Sequence, residues 1–108
     1  MESVSDRFTY REEWSPEDDA YIARCLEFPS LATHGPSPET ALSELRLLVA
    51  DIVADMLSNK ESVPEPLGIR PYSGKLVLRL PKSIHRDITI RAAEEGVSIN
   101  QFLLSRLG

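Results

Sequence analysis

The chain has 108 residues, 42% of them apolar and 27% charged, with a formal net charge of −5. That size suits one average domain or two very small ones. The single cysteine, Cys25, rules out an intrachain disulfide framework and fits the reducing cytoplasm.

The one stretch of membrane-spanning length, Pro38 to Leu57, carries Glu39, Glu44, Arg46, Asp51 and Asp55, which excludes a transmembrane helix. The opening "MESVSDRFTYREEW" has neither the basic flank nor the apolar run of a signal peptide. The net charge conceals a division. Residues 1–68 hold five Lys and Arg against fourteen Asp and Glu, whereas residues 69–108 hold seven basic side chains against three acidic ones. An acidic front suits a basic protein, and a basic back suits nucleic acid.

Phe8 to Trp14 alternates and is rich in β-formers, Ser15 to Asp19 is a turn by composition, and Ala20 to Leu26 resumes as a strand. Together they predict an antiparallel hairpin. Pro29 breaks the second strand, and Leu31 to Gly35 reads as a short third one. A long helix follows, with Ser37 as N-cap, Pro38 at its first position and Glu39 in its first turn. Leu42, Leu45, Val49, Ile52, Val53 and Met56 form its apolar stripe, flanked by Ala41 and Leu48, and it ends near Asn59. The expectation for residues 1–61 is therefore a β-β-β-α domain with the helix across one face of a small sheet. Residues 62–73, "SVPEPLGIRPYS", form a Pro-rich linker by composition, with a short extra strand around Leu67 left open.

Residues 74–108 open on "GKLVLRLP", which alternates as a strand. A helix is expected from about Pro81 to Glu95, with Ile84, Ile88 and Ala92 on one face, and Gly96 placed to end it in a left-handed conformation. Ser98 and Gln101 make a capping-box pattern for a second helix, whose apolar face is Ile99, Phe102, Leu103 and Leu107. About 35 residues bury too little to stand alone, and the strand has two free edges. Pairing of two copies removes both problems: the strands meet as an antiparallel ribbon and four helices share one core. Leu76, Leu78, Leu80, Ile88, Phe102 and Leu103 then form the dimer core. Lys75, Val77 and Arg79 lie together on the outer face, where a two-stranded ribbon fits the major groove of DNA. Ser98 and Asn100, at the start of the last helix, offer backbone N–H groups to phosphate.

"KLVLRLPKSIHRDITIRAAEEGVSINQFLLSRL" resembles a ribbon-helix-helix DNA-binding domain of the Arc/MetJ type, with Pro81, Gly96 and Ser98 where that pattern places them. "DAYIARCLEFPSLATHGPSPETALSELRLLVADIV" resembles the N-terminal domain of HicB antitoxins. Phe28-Pro29-Ser30-Leu31, Thr33 to Ser37 and Glu39-Thr40-Ala41 stand in the places of the family's motifs, without the Gly and Cys usual after the proline. The resemblance implies an α+β chain: a partial RNase H-like β-β-β-α domain followed by an intertwined ribbon-helix-helix dimer. It also implies a function. HicB antitoxins neutralise HicA, a small basic mRNA-cleaving toxin, and their C-terminal domain binds the operator of their own operon. The implied partners are thus a HicA-like toxin, operator DNA and further copies of the chain, without a membrane.

Nothing in the sequence calls for catalysis or a cofactor. Glu17, Asp18 and Asp19 are adjacent in one turn and point apart, unlike the converging carboxylates of two-metal nucleases. Asp51 and Asp55 occupy the polar face of the long helix. His34 and His85 have no metal partner at ligand spacing. Cys25 reads as a small buried side chain, and Ser3, Ser5 and the other serines have no base in a recognisable motif. A free-standing ribbon-helix-helix regulator, with a ligand-binding or oligomerising front domain, is the alternative from a different class. A residual nuclease is the third.

Overall fold

A computed structural model describes residues 4–108; Ser3 lies outside them. The chain divides into two compact units, one ending at Tyr72 and the other spanning Ser73–Gly108.

The first unit is a three-stranded antiparallel meander backed by one helix: β1 (Tyr10–Ser15), β2 (Ala20–Cys25), β3 (Phe28–Gly35) and α1 (Pro38–Ser58). A 3-10 turn at Val4–Arg7 precedes it. In the β1–β2 hairpin Trp14 pairs with Tyr21 and Ser15 with Ala20. The Ser15 hydroxyl donates to the Asp18 carboxylate at 2.9 Å and accepts from the Asp18 N–H at 3.3 Å, closing the turn. The third strand is longer than the sequence suggests, because Pro29 lies inside it instead of before it. β3 is an edge strand, so a residue without an N–H costs no ladder bond on its open side. Pro29 to Leu31 bulge between the pairs Cys25–Phe28 and Arg24–Ala32.

α1 begins as its residues dictate. The Ser37 hydroxyl accepts from the Thr40 N–H at 3.1 Å, and Pro38 occupies the first turn, where no donor is needed. Ala41, Leu45, Val49 and Val53 recur at helical spacing and are buried, against a core that includes Phe8, Ala23 and Cys25. Leu42, Leu48, Ile52 and Met56 sit half-buried at the margins of that stripe. The helix comes close to the end of β3: a Cβ on Gly35 would lie 2.8 Å from the Ala41 backbone nitrogen. Arg46 reaches back from α1 to the Asp6 carboxylate at 2.9 Å and stacks over the Tyr10 ring.

One charged side chain is buried among the described residues, Glu27 in the β2–β3 turn. Its carboxylate accepts from the Thr9 N–H at 2.9 Å, the Thr9 hydroxyl at 3.0 Å and the Leu67 N–H at 2.8 Å. The Cys25 thiol also points at it, 3.6 Å away. Burial alone would push this carboxyl up. The Leu67 and Thr9 N–H groups outweigh burial and hold it below its ordinary value. Burial pushes the Cys25 thiol up as well, which keeps it protonated and inert.

Glu27 reaches into the segment expected as a free linker. Residues 62–72 instead form a strap on the first unit. Pro66 is buried, Val63 packs against the core and Leu67–Ile69 forms a 3-10 turn in place of an extra strand.

Two outcomes are expected. Leu45→Ala removes a fully buried side chain and should cost about 2–5 kcal/mol in chemical denaturation. Glu27 has a folded pKa below its unfolded one. Its contribution to stability is therefore complete above about pH 4.5 and is lost as pH falls through the folded value. The stability gap between the parent and Glu27→Gln, measured by denaturation from pH 7 to 3, should narrow below pH 4.5; a gap constant over that range would contradict the assignment.

Candidate nucleic-acid interface

The second unit carries α2 (Lys82–Glu95) and α3 (Ile99–Leu107). Pro81 ends the preceding extended stretch and stands immediately before α2. Gly96 terminates that helix with φ at 70°, in the left-handed region where a side chain would be strained. Its N–H bonds back to the Ala93 carbonyl at 3.1 Å, and the Val97 N–H to that of Ala92 at 3.0 Å. Ser98 then caps α3. Its hydroxyl accepts from the Gln101 N–H at 3.0 Å, while the Gln101 side chain accepts from the Ser98 N–H at 3.1 Å. Both halves of the capping box expected from the sequence are present.

Packing inside this unit is thin. Ala92 and Phe102 are buried, and Ile88 and Leu103 are half-buried. Arg106 closes the back of Phe102, with its guanidinium 4.9 Å from the ring centre, and bonds Glu95 at 3.4 Å.

The segment Gly74–Pro81 is the clearest departure from expectation: it contains no strand. The reason is physical. A strand exists through its ladder of hydrogen bonds, and within this unit no other extended segment lies beside it. Its sequence pattern is nonetheless visible in its exposure. Leu76 is 83% exposed, Leu78 60% and Leu80 39%, a set of large apolar side chains spaced by two. Leu76 and Leu78 border an open groove together with Asn100 and Leu103 of α3, and Leu80 and Ile99 extend it.

Each expected site residue can now be placed. Lys75, Val77 and Arg79 are exposed, Val77 at 87%. Of the six dimer-core residues, Phe102 is buried, Ile88 and Leu103 are half-buried, and the three leucines of the segment are open to solvent. Ser98 is engaged as the helix cap, and Asn100 sits at the rim of the leucine-lined groove, one residue into α3. Glu27 was not among the residues expected to matter. Its sequence signal is an acidic residue inside the apolar run "CLEF".

Elsewhere the described residues hold no group of three or more His, Cys, Asp or Glu that could bind a metal. No helix among them is long and apolar enough to cross a membrane. The Glu17–Asp19 carboxylates lie on an exposed turn, and His34 approaches Asp18 at 3.9 Å.

The leucine spacing generates a prediction. Leu78→Asp places a charge at the centre of the exposed apolar set and should abolish self-association, read by sedimentation velocity. A folded variant that remains dimeric would show that these leucines do not form the interface.

No curated protein and no solved structure matches this chain. Residues 58–107 match the HicB family model. The matched segment covers the end of α1, the strap and nearly all of the second unit. Over residues 58–107, then, the chain is similar to the HicB family.

Proposed function

We propose that this protein is the antitoxin of a type II toxin–antitoxin pair, acting in the cytoplasm. It neutralises a HicA-like mRNA-cleaving toxin and represses its own operon by binding operator DNA. HicB family antitoxins are not enzymes, and the reading gives this chain a binding role on each unit.

The observation that carries the reading is a coincidence of place. The HicB family match falls on the unit whose alternating leucines stand unpaired in solvent. A second copy offers what the segment lacks. Gly74–Pro81 of two chains would pair as an antiparallel ribbon, satisfying the backbone groups along one edge of each. Leu76, Leu78 and Leu80 would turn into a core shared with Ile88, Phe102 and Leu103, with full burial of a leucine contributing about 1.5–3 kcal/mol. The fold is then a ribbon-helix-helix dimer. Alternation leaves Lys75, Val77 and Arg79 of both chains on the outer face. There the cations meet guanine edges in the major groove, and Val77 meets a thymine methyl. The first free N–H groups of α3, beside Ser98 and Asn100, face phosphate.

The first unit is read as the toxin-binding half, a partial RNase H-like sheet with one helix. Its support is charge. Residues 1–68 carry fourteen carboxylates against five basic side chains, and Glu12, Glu13, Glu17, Asp18 and Asp19 are all exposed around the first hairpin. Such a surface attracts a basic ribonuclease and speeds its capture.

Two measurements test the reading. Arg79→Ala should weaken operator binding by about 1–3 kcal/mol and relax sequence preference at one base pair, as expected for a bidentate guanine contact. Unchanged affinity in a mobility-shift titration at physiological salt would remove the ribbon assignment. Affinity capture from the native host, with mass spectrometry, should bring down a stoichiometric small basic protein whose RNA cleavage is suppressed in the complex. Recovery of the protein alone would leave a free-standing regulator in place of the antitoxin.

A further inference from the structure

We propose that Glu27 is a latch that sets the free length of the tether between the two units, by holding the strap of residues 62–72 against the first unit. The latch is made by this chain's own residues, whether or not the protein is an antitoxin.

Glu27 is 8% exposed, yet it belongs to a two-residue turn between β2 and β3, where a glutamate has no need to turn inward. It does so to meet donors from two distant places: Thr9, at the entry to β1, and Leu67, forty residues further along. The Leu67 N–H is the first free donor of the 3-10 turn that begins there. Glu27 thus acts as the N-cap that this turn lacks locally, since Pro66 supplies no side-chain hydrogen bond.

The strap is built to move as one piece. The Tyr72 hydroxyl donates to the Leu67 carbonyl at 2.7 Å, and Arg70 Nε donates to the Glu65 carbonyl at 3.1 Å. Both braces lie within the strap. Its other anchors on the first unit are apolar, Val63 against the core and the buried Pro66. The carboxylate-to-Leu67 bond is charge-assisted and directional, so it decides where the strap sits.

With the latch closed, the chain leaves the first unit at Tyr72, and the free tether is the short run starting at Ser73 and Gly74. With it open, residues 62–72 join the tether. Pro64, Pro66 and Pro71 favour an extended conformation of about 3.1 Å per residue, so reach grows by at most about 34 Å, the full value needing the two braces to open as well. A change of that size alters the effective concentration of one unit near anything the other has bound.

Amide hydrogen exchange on the full-length protein tests the latch with two variants. Glu27→Gln leaves one acceptor oxygen in place of a carboxylate. Leu67→Pro removes the donor while leaving Glu27 intact. Proline suits that position, because it is the first of the turn and the preceding Pro66 has ψ of 134°. In Glu27→Gln the Leu67 and Ile69 amides, and in Leu67→Pro the Ile69 amide, should exchange at least tenfold faster, and by a larger factor than the amides of β2 and α1. Unchanged strap protection in either variant overturns the proposal, because the joint needs both halves. Acceleration of the β2 and α1 amides by the same factor as the strap also overturns it, because strap and fold would then open as one.

Discussion

A carboxylate taken out of water must be given donors, and Glu27 draws its donors from segments that are far apart in sequence. Thr9 fixes the start of β1, and Leu67 fixes the strap. Glu27 itself fixes the turn that joins β2 to β3. Around that junction the first unit closes: β1 is held at its entry, β3 begins at Phe28 in register with Cys25, and the chain's exit is decided. The apolar stripe of α1 provides most of the burial, but a stripe is non-directional. The buried carboxylate supplies direction, and the cost of leaving it unpartnered makes alternative arrangements of these segments unfavourable.

The two units solve the problem of a small core in different ways. The first has a sheet face and a helix stripe that cover each other, with Leu45, Val49 and Cys25 fully buried. The second has two short helices, two buried side chains and a leucine-bearing segment that its own helices leave exposed. Its order comes from local devices, the left-handed Gly96 and the reciprocal bonds of Ser98 and Gln101, which act over a few residues and need no large core. A unit built this way has its helices set by local bonds while its apolar segment stays open. The charge division follows the same line. Fourteen of the seventeen carboxylates lie on the self-sufficient unit, whereas Lys and Arg divide six and six, so the open unit is left with a net positive charge.

The strap changes how the halves are joined. Composition alone makes residues 62–73 a linker, because prolines and a glycine resist regular structure. The same prolines also make a segment that loses little entropy on docking. Pro66 and Val63 use this, and Glu27 completes it. A Pro-rich segment is thus read correctly as irregular and wrongly as free, since irregularity is a local property and docking is a tertiary one.

The sequence by itself determined whatever depends on neighbours a few residues away. The hairpin turn, the Ser37 and Ser98 caps, the stop at Gly96 and the apolar stripe of α1 all follow from local spacing and local hydrogen bonding, and they were legible for that reason. The alternation of Leu76, Leu78 and Leu80 was equally legible, and it identified the apolar set that stands open in the second unit. Tertiary structure decided the rest. Pro29 lies inside β3 because that strand is at an edge, which only the strand order reveals. Glu27 is buried because Thr9 and Leu67 arrive beside it, which no window of sequence contains. Gly74–Pro81 has no ladder because a strand is a relation between two segments, and within its own unit no other extended segment lies beside it.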